Sequence, residues 1–412
     1  MKRREDSGEE NRSYSYGHQC ISSQDIAAVS ETLKGDWITG GPKVREFEEA
    51  LAEYCGAKHC IAVSNGTAAL HVSALALDIQ KGDVALTSPL TFLASANGIL
   101  YCGGRPDFVD IDPDTLCLSP GLLEDYCKRK GAPKAVVAVS FAGIPADLPS
   151  LRQLADRYGF KLVEDAAHAL GSSYKYEEKS YRCASCAHSD LAVLSFHPVK
   201  NITTGEGGAV LTNDDALARR LRLYAVHGIE RDPEKWVGLP GKPMDSSKEY
   251  YGPWYHEMQV MGFNYRITDF QCALGLSQLS RIGEFKRRRQ ELARLYGEKL
   301  KVLADRGLIR LPPWPEESDP CFHLYVLQCL GGAKERHRLF QELCKRRIFP
   351  QVHYIPVHLQ PFYRKAFGYK WGDFPEAESY YERALSLPLY PDLTGSDVEY
   401  ISGVITEVLE NP

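Results

Sequence analysis

Short apolar runs alternate with helical patterns along the first three quarters of the chain. The runs are continuous in β-branched and apolar residues, which is typical of strands buried on both faces, and the segments between them have the period of helices. The predicted strands are HCIAVS (59–64), GDVALTS (82–88), RPDFVDI (105–111), KAVVAVS (134–140), FKLVEDA (160–166), DLAVLSFH (190–197) and GGAVLTND (207–214). This alternation predicts an α/β fold with a mostly parallel sheet covered by helices on both faces.

A different pattern begins at Asp269. One long helical stretch, DFQCALGLSQLSRIGEFKRRRQELARLYGEKL, is predicted to bridge to a smaller α+β domain that contains FHLYVLQC and AESYYERALSLPL. We therefore predict a flexible tail over 1–19, a large ligand-binding domain over 20–270, and a small C-terminal domain over 271–412 that includes the bridging helix. The polar first segment lacks the apolar centre of a signal peptide, so the predicted location is cytoplasmic.

Composition narrows the classes of function. The chain has 412 residues, 44% hydrophobic and 25% charged, with a formal net charge of -5. A negative net charge argues against a nucleic-acid partner. No apolar run in the sequence is long enough to cross a membrane. The twelve cysteines are scattered, as expected of reduced thiols. Cys183, Cys186 and His188 lie close together, but no second pair completes a four-ligand zinc site, so no metal is predicted.

Lys200 is the first candidate for chemistry. It lies in SFHPVKNITTGEGGAVLTND, between two predicted strands and just past the carboxyl end of the first. A lysine before a glycine cluster is more often a solvated residue in a turn. In α/β proteins, however, the carboxyl ends of strands are where ligands bind.

Three other strand ends carry suggestive residues. Thr67 stands where a helix opens after Asn-Gly, which suits a phosphate group, although it could equally be an ordinary N-cap. Asp165 ends a buried strand, with His168 three residues later, and a buried carboxylate needs a cationic partner unless it caps a turn. Phe92 follows a strand end and could stack on a planar ligand or belong to the core.

Together these features fit one ligand. A planar, phosphorylated, cationic heteroaromatic aldehyde that reacts with a lysine is pyridoxal 5'-phosphate. Lys200 would form the Schiff base and Asp165 would keep the ring nitrogen protonated. Thr67 with its helix start would hold the phosphate, and Phe92 would stack on the ring.

The order of the motifs resembles the DegT/DnrJ/EryC1/StrS family of sugar aminotransferases from about Cys20 to the C-terminus. TGGPKVREFEEALAEYCGAKHCIAVSNGTAAL, EDAAHALGS, SFHPVKNITTGEGGAVLTND and GFNYRITDFQCALGLSQL are typical of it. The resemblance implies the PLP-dependent transferase fold type I, as in aspartate aminotransferase. It also implies homodimers with shared active sites.

The resemblance assigns further residues. It places His168 near the phenolic oxygen of the cofactor and gives phosphate contacts to Ser195, Thr67, the Ala68 N–H and, from the neighbouring subunit, Asn264. Arg266 would neutralise a carboxylate or a phosphate, unless it is a structural arginine. The segment with His353, Tyr354 and His358 would lie near a nucleotide sugar, unless it only packs the small domain against the large one.

Within the family, the resemblance is greatest to members of the pseudaminic acid pathway. This implies L-glutamate as the amino donor and the C4 ketone of a UDP-linked sugar as the acceptor. Another nucleotide ketosugar remains an alternative, because motifs do not fix sugar stereochemistry. A sugar dehydratase would have histidine in place of Lys200, and a non-catalytic regulator would be expected to lack part of the motif set.

Overall fold

Seven strands form the central sheet of the computed structural model, which describes residues 12–241 and 251–411. In that part of the chain the strands are β1 (Tyr14–Ser15), β2 (His59–Val63), β3 (Val84–Thr87), β4 (Arg105–Phe108), β5 (Ala135–Val139), β6 (Lys161–Asp165), β7 (Ser173–Tyr176), β8 (Lys179–Arg182), β9 (Leu191–Ser195), β10 (Gly208–Thr212), β11 (Ile229–Glu230), β12 (Glu257–Met258), β13 (Ile309–Arg310), β14 (Ser318–Asp319), β15 (Tyr325–Cys329), β16 (Ile348–Phe349) and β17 (Ala384–Leu387). The helices are α1 (Ser23–Lys34), α2 (Pro42–Cys55), α3 (Gly66–Ala76), α4 (Leu93–Tyr101), α5 (Pro120–Lys130), α6 (Leu148–Tyr158), α7 (Asp215–Ala225), α8 (Asp269–Ser280), α9 (Ile282–Asp305), α10 (Gly332–Lys345), α11 (Pro361–Phe367), α12 (Pro375–Arg383) and α13 (Gly395–Glu410).

The strand order of the central sheet is β2-β10-β9-β6-β5-β3-β4. β10 is antiparallel to both of its neighbours, and the pairs from β9 to β4 are parallel. Each of the seven strands lies inside an apolar run that predicted one, so the mostly parallel sheet is confirmed. One apolar cluster joins the sheet to α3, α4 and α7, and another joins it to α2, α5 and α6. Helices thus cover both faces, and the carboxyl ends of β6 and β9 lie side by side.

The C-terminal part contains a smaller sheet with the order β13-β15-β17. It packs with α9, α10 and α13 around a separate apolar cluster. Leu324 and Val326 lie after the predicted domain boundary at residue 270 but belong to the apolar cluster of the large sheet. The boundary at residue 270 therefore stays a prediction.

The predicted bridging helix over 269–300 is wrong in one respect, because the structure has two helices that meet at Arg281. Arg281 has non-helical dihedral angles, and its guanidinium bonds Glu284 at 3.2 Å. Ser280 and Gly283 flank the break, and both have lower helix propensity than the surrounding residues. None of the helices in residues 12–241 and 251–411 has the length and apolar character needed to cross a bilayer.

The predicted flexible tail is wrong from residue 12 onward; residues 1–11 lie outside the described part. Tyr14 and Ser15 pair in parallel with Ile348 and Phe349. The Tyr14 side chain is only 7% exposed, and its hydroxyl donates to Asp397 at 3.1 Å. The polar composition hid this strand, because its anchor is a single tyrosine whose partners are more than 300 residues away.

We expect Tyr14→Ala to lower the free energy of unfolding by about 3 kcal/mol, because it removes a buried aromatic ring from the small-domain core. Tyr14→Phe should cost about 1 kcal/mol, since only the hydrogen bond to Asp397 is lost. Urea unfolding measures both. Ser13→Ala, at an exposed neighbouring position, is the control, and a Tyr14→Ala protein as stable as this control would contradict the anchoring role.

Candidate active site

The carboxyl ends of the central strands open into a cavity of about 950 Å³. Its lining includes residues from four sequence-predicted strand ends and from the C-terminal part of the chain. They include Asn65, Gly66, Thr67, Ala68, Phe92, Ser95, Asp165, His168, Ser195, Lys200, Tyr265, His323, His353 and Tyr354. The structure thus brings together residues that are up to 344 positions apart in the sequence, counted from Tyr16 to Gln360.

Lys200 lies on the loop between β9 and β10. Its backbone N–H donates to the carbonyl of His197 at 2.9 Å, and the Thr203 hydroxyl donates to the carbonyl of Phe196 at 3.0 Å, so the loop is a fixed turn. Burial lowers the pKa of the Lys200 amine to about 8, and the Asp165 carboxylate opposes that shift. A lysine with this pKa is partly neutral near pH 8 and can act as a nucleophile or base.

Asp165 is 4% exposed at the end of β6. The Ser95 hydroxyl donates to Oδ2 at 2.7 Å, and the Ala167 N–H donates to Oδ1 at 3.1 Å. Burial raises the pKa of this carboxyl, whereas the two hydrogen bonds and Lys200 act to lower it. These bonds hold the Asp165 carboxyl group in place at the wall of the cavity. Ser95 was not predicted, since no sequence signal distinguishes it from other small residues of α4.

At the start of α3, the alternative that Thr67 is the N-cap is wrong. Asn65, not Thr67, is the N-cap, and its Oδ1 accepts from the Ala68 N–H at 2.8 Å. The Ala68 N–H is therefore occupied, and the unpaired N–H groups of this first turn are those of Gly66 and Thr67. A Cβ at Gly66 would lie 3.0 Å from Ser195 Cβ, so glycine lets the Ser195 side chain approach the helix start. The result is an open anion site.

Phe92 lies in the wall of the cavity and is 56% exposed, so the alternative of a core residue is wrong. Its ring centroid is 6.0 Å from that of Tyr354. An exposed aromatic face at the mouth of a cavity is suited to stacking against a planar ligand.

His168 is buried in the cavity wall. Its Nδ1 accepts from the Ala142 N–H at 3.3 Å, and its Nε2 lies 3.2 Å from the Tyr354 hydroxyl. Because the backbone group can only donate, the neutral ring carries its proton on Nε2. The His323 ring, which was not predicted, lies 4.4 Å from that of His168. Burial holds the pKa of both rings well below the usual range, so both are neutral.

Asn264 and Arg266 are exposed and do not line the cavity of their own chain, whereas Tyr265 between them does. The segment is extended: Asn264 bridges to Val226, and Arg266 bridges to Val63. Alternate residues of an extended chain point to opposite sides, which explains why only Tyr265 faces inward.

In the segment after β16, as in the segment around Tyr265, some of the predicted residues line the cavity and others do not. His353 and Tyr354 line the cavity, and His353 Nδ1 lies 2.8 Å from the Ser386 hydroxyl. His358 is 0% exposed, and its Nε2 lies 2.9 Å from Glu378 Oε1. The structure therefore does not bring His358 to the cavity, because the carboxylate of α12 holds it in the interior.

Among residues 12–241 and 251–411, no cluster of side chains is suited to a metal ion. Cys183 and Cys186 are buried free thiols, and burial raises the pKa of each well above the usual value. A protonated thiol is a poor metal ligand.

The sequence and the coordinates were compared with known proteins. The model of the DegT/DnrJ/EryC1/StrS aminotransferase family matches residues 19–406. This chain belongs to that family. SpsC of Bacillus subtilis, a spore coat polysaccharide biosynthesis protein, is 36% identical over 96% of this chain and 97% of its own.

Solved structures of aminotransferases are similar to this chain over nearly its whole length. PseC of Helicobacter pylori, an aminotransferase involved in pseudoaminic acid biosynthesis, superposes with a TM-score of 0.86 at 29% identity, covering 97% of this chain and 100% of its own. The PLP form of Spr1654 from Streptococcus pneumoniae has a TM-score of 0.84 at 27% identity, covering 97% and 99%. The fold of PLP-dependent aminotransferases and the cofactor are thereby confirmed.

The residues of the cavity fit pyridoxal 5'-phosphate. The turn at Gly66 and Thr67 offers unpaired N–H groups beside the Ser195 hydroxyl, and Asp165 offers a buried carboxylate to a cationic ring nitrogen. Lys200 is the amine with a lowered pKa in the same cavity. Which of these atoms contacts the cofactor remains a prediction.

We expect cofactor-free protein to capture pyridoxal 5'-phosphate faster as the pH rises through about 8, because only the neutral Lys200 amine reacts with an aldehyde. Asp165→Asn should move this midpoint to lower pH, since the carboxylate favours the ammonium form. Stopped-flow absorbance over pH 6–10 measures the midpoint. A midpoint above pH 10 in both proteins would contradict a lowered pKa, and Asp156→Asn, an exposed change, is the control.

Proposed function

We propose that this chain transfers an amino group from L-glutamate to the C4 ketone of a UDP-linked 4-keto-6-deoxy-N-acetylhexosamine. The product would be UDP-4-amino-4,6-dideoxy-N-acetyl-β-L-altrosamine, in the pseudaminic acid pathway. The observation that carries the chemistry is that Lys200, a lysine of lowered pKa, lines the same cavity as Asp165 and the helix start at Thr67.

Bound pyridoxal 5'-phosphate supplies an electron sink for the carbon atom that gains or loses the amino group. Asp165, held by Ser95 and Ala167, would keep the ring nitrogen protonated. Lys200 would take a proton from the reacting carbon and return it at the neighbouring position, since its amine is neutral in part near pH 8. Phe92 would cover the ring and limit access of water.

The sugar assignment is supported by the likeness to PseC over nearly the whole of both chains. His353 and Tyr354, from the C-terminal part of the chain, line the same cavity of about 950 Å³ and would lie near the sugar. Another nucleotide ketosugar is the second candidate, and the likeness to SpsC, a spore coat polysaccharide protein, favours it. Lys200 argues against a dehydratase, and the complete set of site residues argues against a non-catalytic regulator.

We also propose a homodimer in which each cavity is completed by the other subunit. Asn264 and Arg266 are exposed on the outer side of the segment whose Tyr265 lines the cavity. Placed against a second copy, Asn264 would reach the partner's phosphate site, and Arg266 would meet an anionic group of its substrate.

The substrate proposal is tested with the cofactor-loaded enzyme, glutamate and a panel of UDP-4-keto sugars, and the products are identified by mass and NMR. We expect amination at C4 of the 6-deoxy-N-acetylhexosamine. Lys200→Ala should abolish turnover. Asp165→Asn should slow it by a few orders of magnitude, or about 4 kcal/mol in the barrier, because an amide does not hold the ring nitrogen protonated. A clear preference for a different ketosugar would replace the pathway assignment and leave the reaction class intact.

The dimer proposal is tested by mixing Lys200→Ala with Asn264→Asp protein. Asn264→Asp places a negative charge against the phosphate and should disable its site. Random exchange makes about half of the dimers hybrid, each with one intact site, so activity should recover to roughly a quarter of the wild-type value. If exchange is shown by mass spectrometry and activity stays at the sum of the two mutants, Asn264 does not serve the partner.

A further inference from the structure

Arg289, in the middle of α9, is a buried cation. It is 2% exposed, and no carboxylate in residues 12–241 and 251–411 forms an ion pair with it. Burial lowers the pKa of the guanidinium to about 10, which still leaves it charged at neutral pH. Burying a charge without a counter-ion costs several kcal/mol of folding free energy. The presence of an arginine at this buried position therefore needs an explanation.

Within the described residues, the hydrogen bonds of the Arg289 guanidinium are all with backbone carbonyl groups. One terminal nitrogen donates to the oxygens of Phe322 and His323, each at 3.3 Å, and to that of Leu389 at 2.9 Å. The Nε atom has no partner within the described residues. Arg289 thus joins α9 to the segment that enters β15 and to the segment that follows β17.

The first of these segments reaches the active site directly. The His323 ring lines the cavity and packs 4.4 Å from the His168 ring. Just before it, the Cys321 thiol donates to the carbonyl of His168 at 3.2 Å. Asn201, the residue after Lys200, donates to the same sulfur at 2.7 Å. The chain held by Arg289 therefore contacts both the His168 turn and the Lys200 loop.

We propose that Arg289 is a positioning residue, whose buried guanidinium fixes the backbone of Phe322 and His323 so that a neutral His323 supports His168 at the cavity wall. It acts through the histidines and does not itself touch the substrate. Its role in turnover rests on the proposed function, but its role in holding His323 does not.

Electrostatics supports the geometry. Burial is the largest cause of the lowered pKa of His323, and the groups His168, Lys200, Arg289 and His353 lower it further. Burial likewise lowers the pKa of His168 most, and Lys200 and His353 act in the same sense. Arg289 thus adds to the effect of burial, and its contacts with the backbone help to keep the His323 ring buried.

The test compares Arg289→Met, which removes the charge but keeps an unbranched side chain, with Arg289→Lys, which keeps the charge. Arg288→Met is the matched control, since Arg288 is the adjacent residue and bonds the exposed Glu291 at 3.1 Å. The ¹⁵N signals of the histidine rings are followed from pH 5 to 8 in each holoenzyme. The sugar and glutamate half-reactions are measured over the same range.

In wild type, we expect His323 and His168 to stay neutral down to pH 5. In Arg289→Met, release of the Phe322 and His323 backbone should expose the His323 ring to water, so its midpoint should rise into the range from pH 5 to 8 and the acid limb of both half-reactions should move with it. Arg289→Lys should restore most of the wild-type profile, and Arg288→Met should leave it unchanged.

Two results would overturn the proposal. The first is a folded Arg289→Met protein whose histidine titrations and pH profiles match those of wild type. The second, which remains decisive if that variant does not fold, is a wild-type His323 that titrates near its ordinary value of about 6.5. If the wild type aminates no ketosugar, the proposed function fails, while the histidine titrations still decide the role of Arg289.

Discussion

The active site depends on the interaction between Asp165 and Lys200, which line the same cavity. Burial disfavours the charged form of each group, and each charge favours the other. Hydrogen bonds from Ser95 and Ala167 favour the charged form of the carboxyl group and oppose the effect of burial, which raises its pKa, whereas burial lowers the pKa of the amine to about 8. A carboxyl group held in place and a partly neutral amine in the same cavity are suited to PLP chemistry.

The parallel sheet provides this arrangement. β6 and β9 are adjacent, so the residue that ends β6 and the loop that follows β9 meet at one edge. The antiparallel β10 returns beside β9 and limits the length of that loop. The start of α3 follows β2, on the other side of β10, and lines the same cavity as Asp165. The spacing of these groups is therefore a property of strand order and not of any single side chain.

The sequence predicted the sheet and most of this edge, because continuous apolar strands and the residues that end them are local signals. It did not predict the partners that hold the site. Ser95 and His323 reach the cavity through tertiary packing, and no local sequence signal distinguishes them, whereas Asn65 carried the local signal of an N-cap that was assigned to Thr67 instead. The opposite error occurred at Tyr14, where a polar segment hid a strand whose partners lie near the C-terminus. His358 resembled a ligand by proximity in sequence, but a buried carboxylate in α12 decided its position.

The two sides of the cavity are built by different means. The side with Asp165, Thr67 and Lys200 is fixed by the central sheet, which suits a cofactor that is the same in every reaction of the family. The side with His353 and Tyr354 comes from the C-terminal part of the chain: His353 lies 2.8 Å from Ser386 of β17 in the smaller sheet, and the Tyr354 hydroxyl lies 3.2 Å from His168 beside the central sheet. The ends of the central strands thus carry Asp165, Lys200 and the start of α3, and the rest of the cavity is lined by residues such as His353 and Tyr354. The reaction class therefore follows from the geometry of the sheet edge, which the second group of residues does not build.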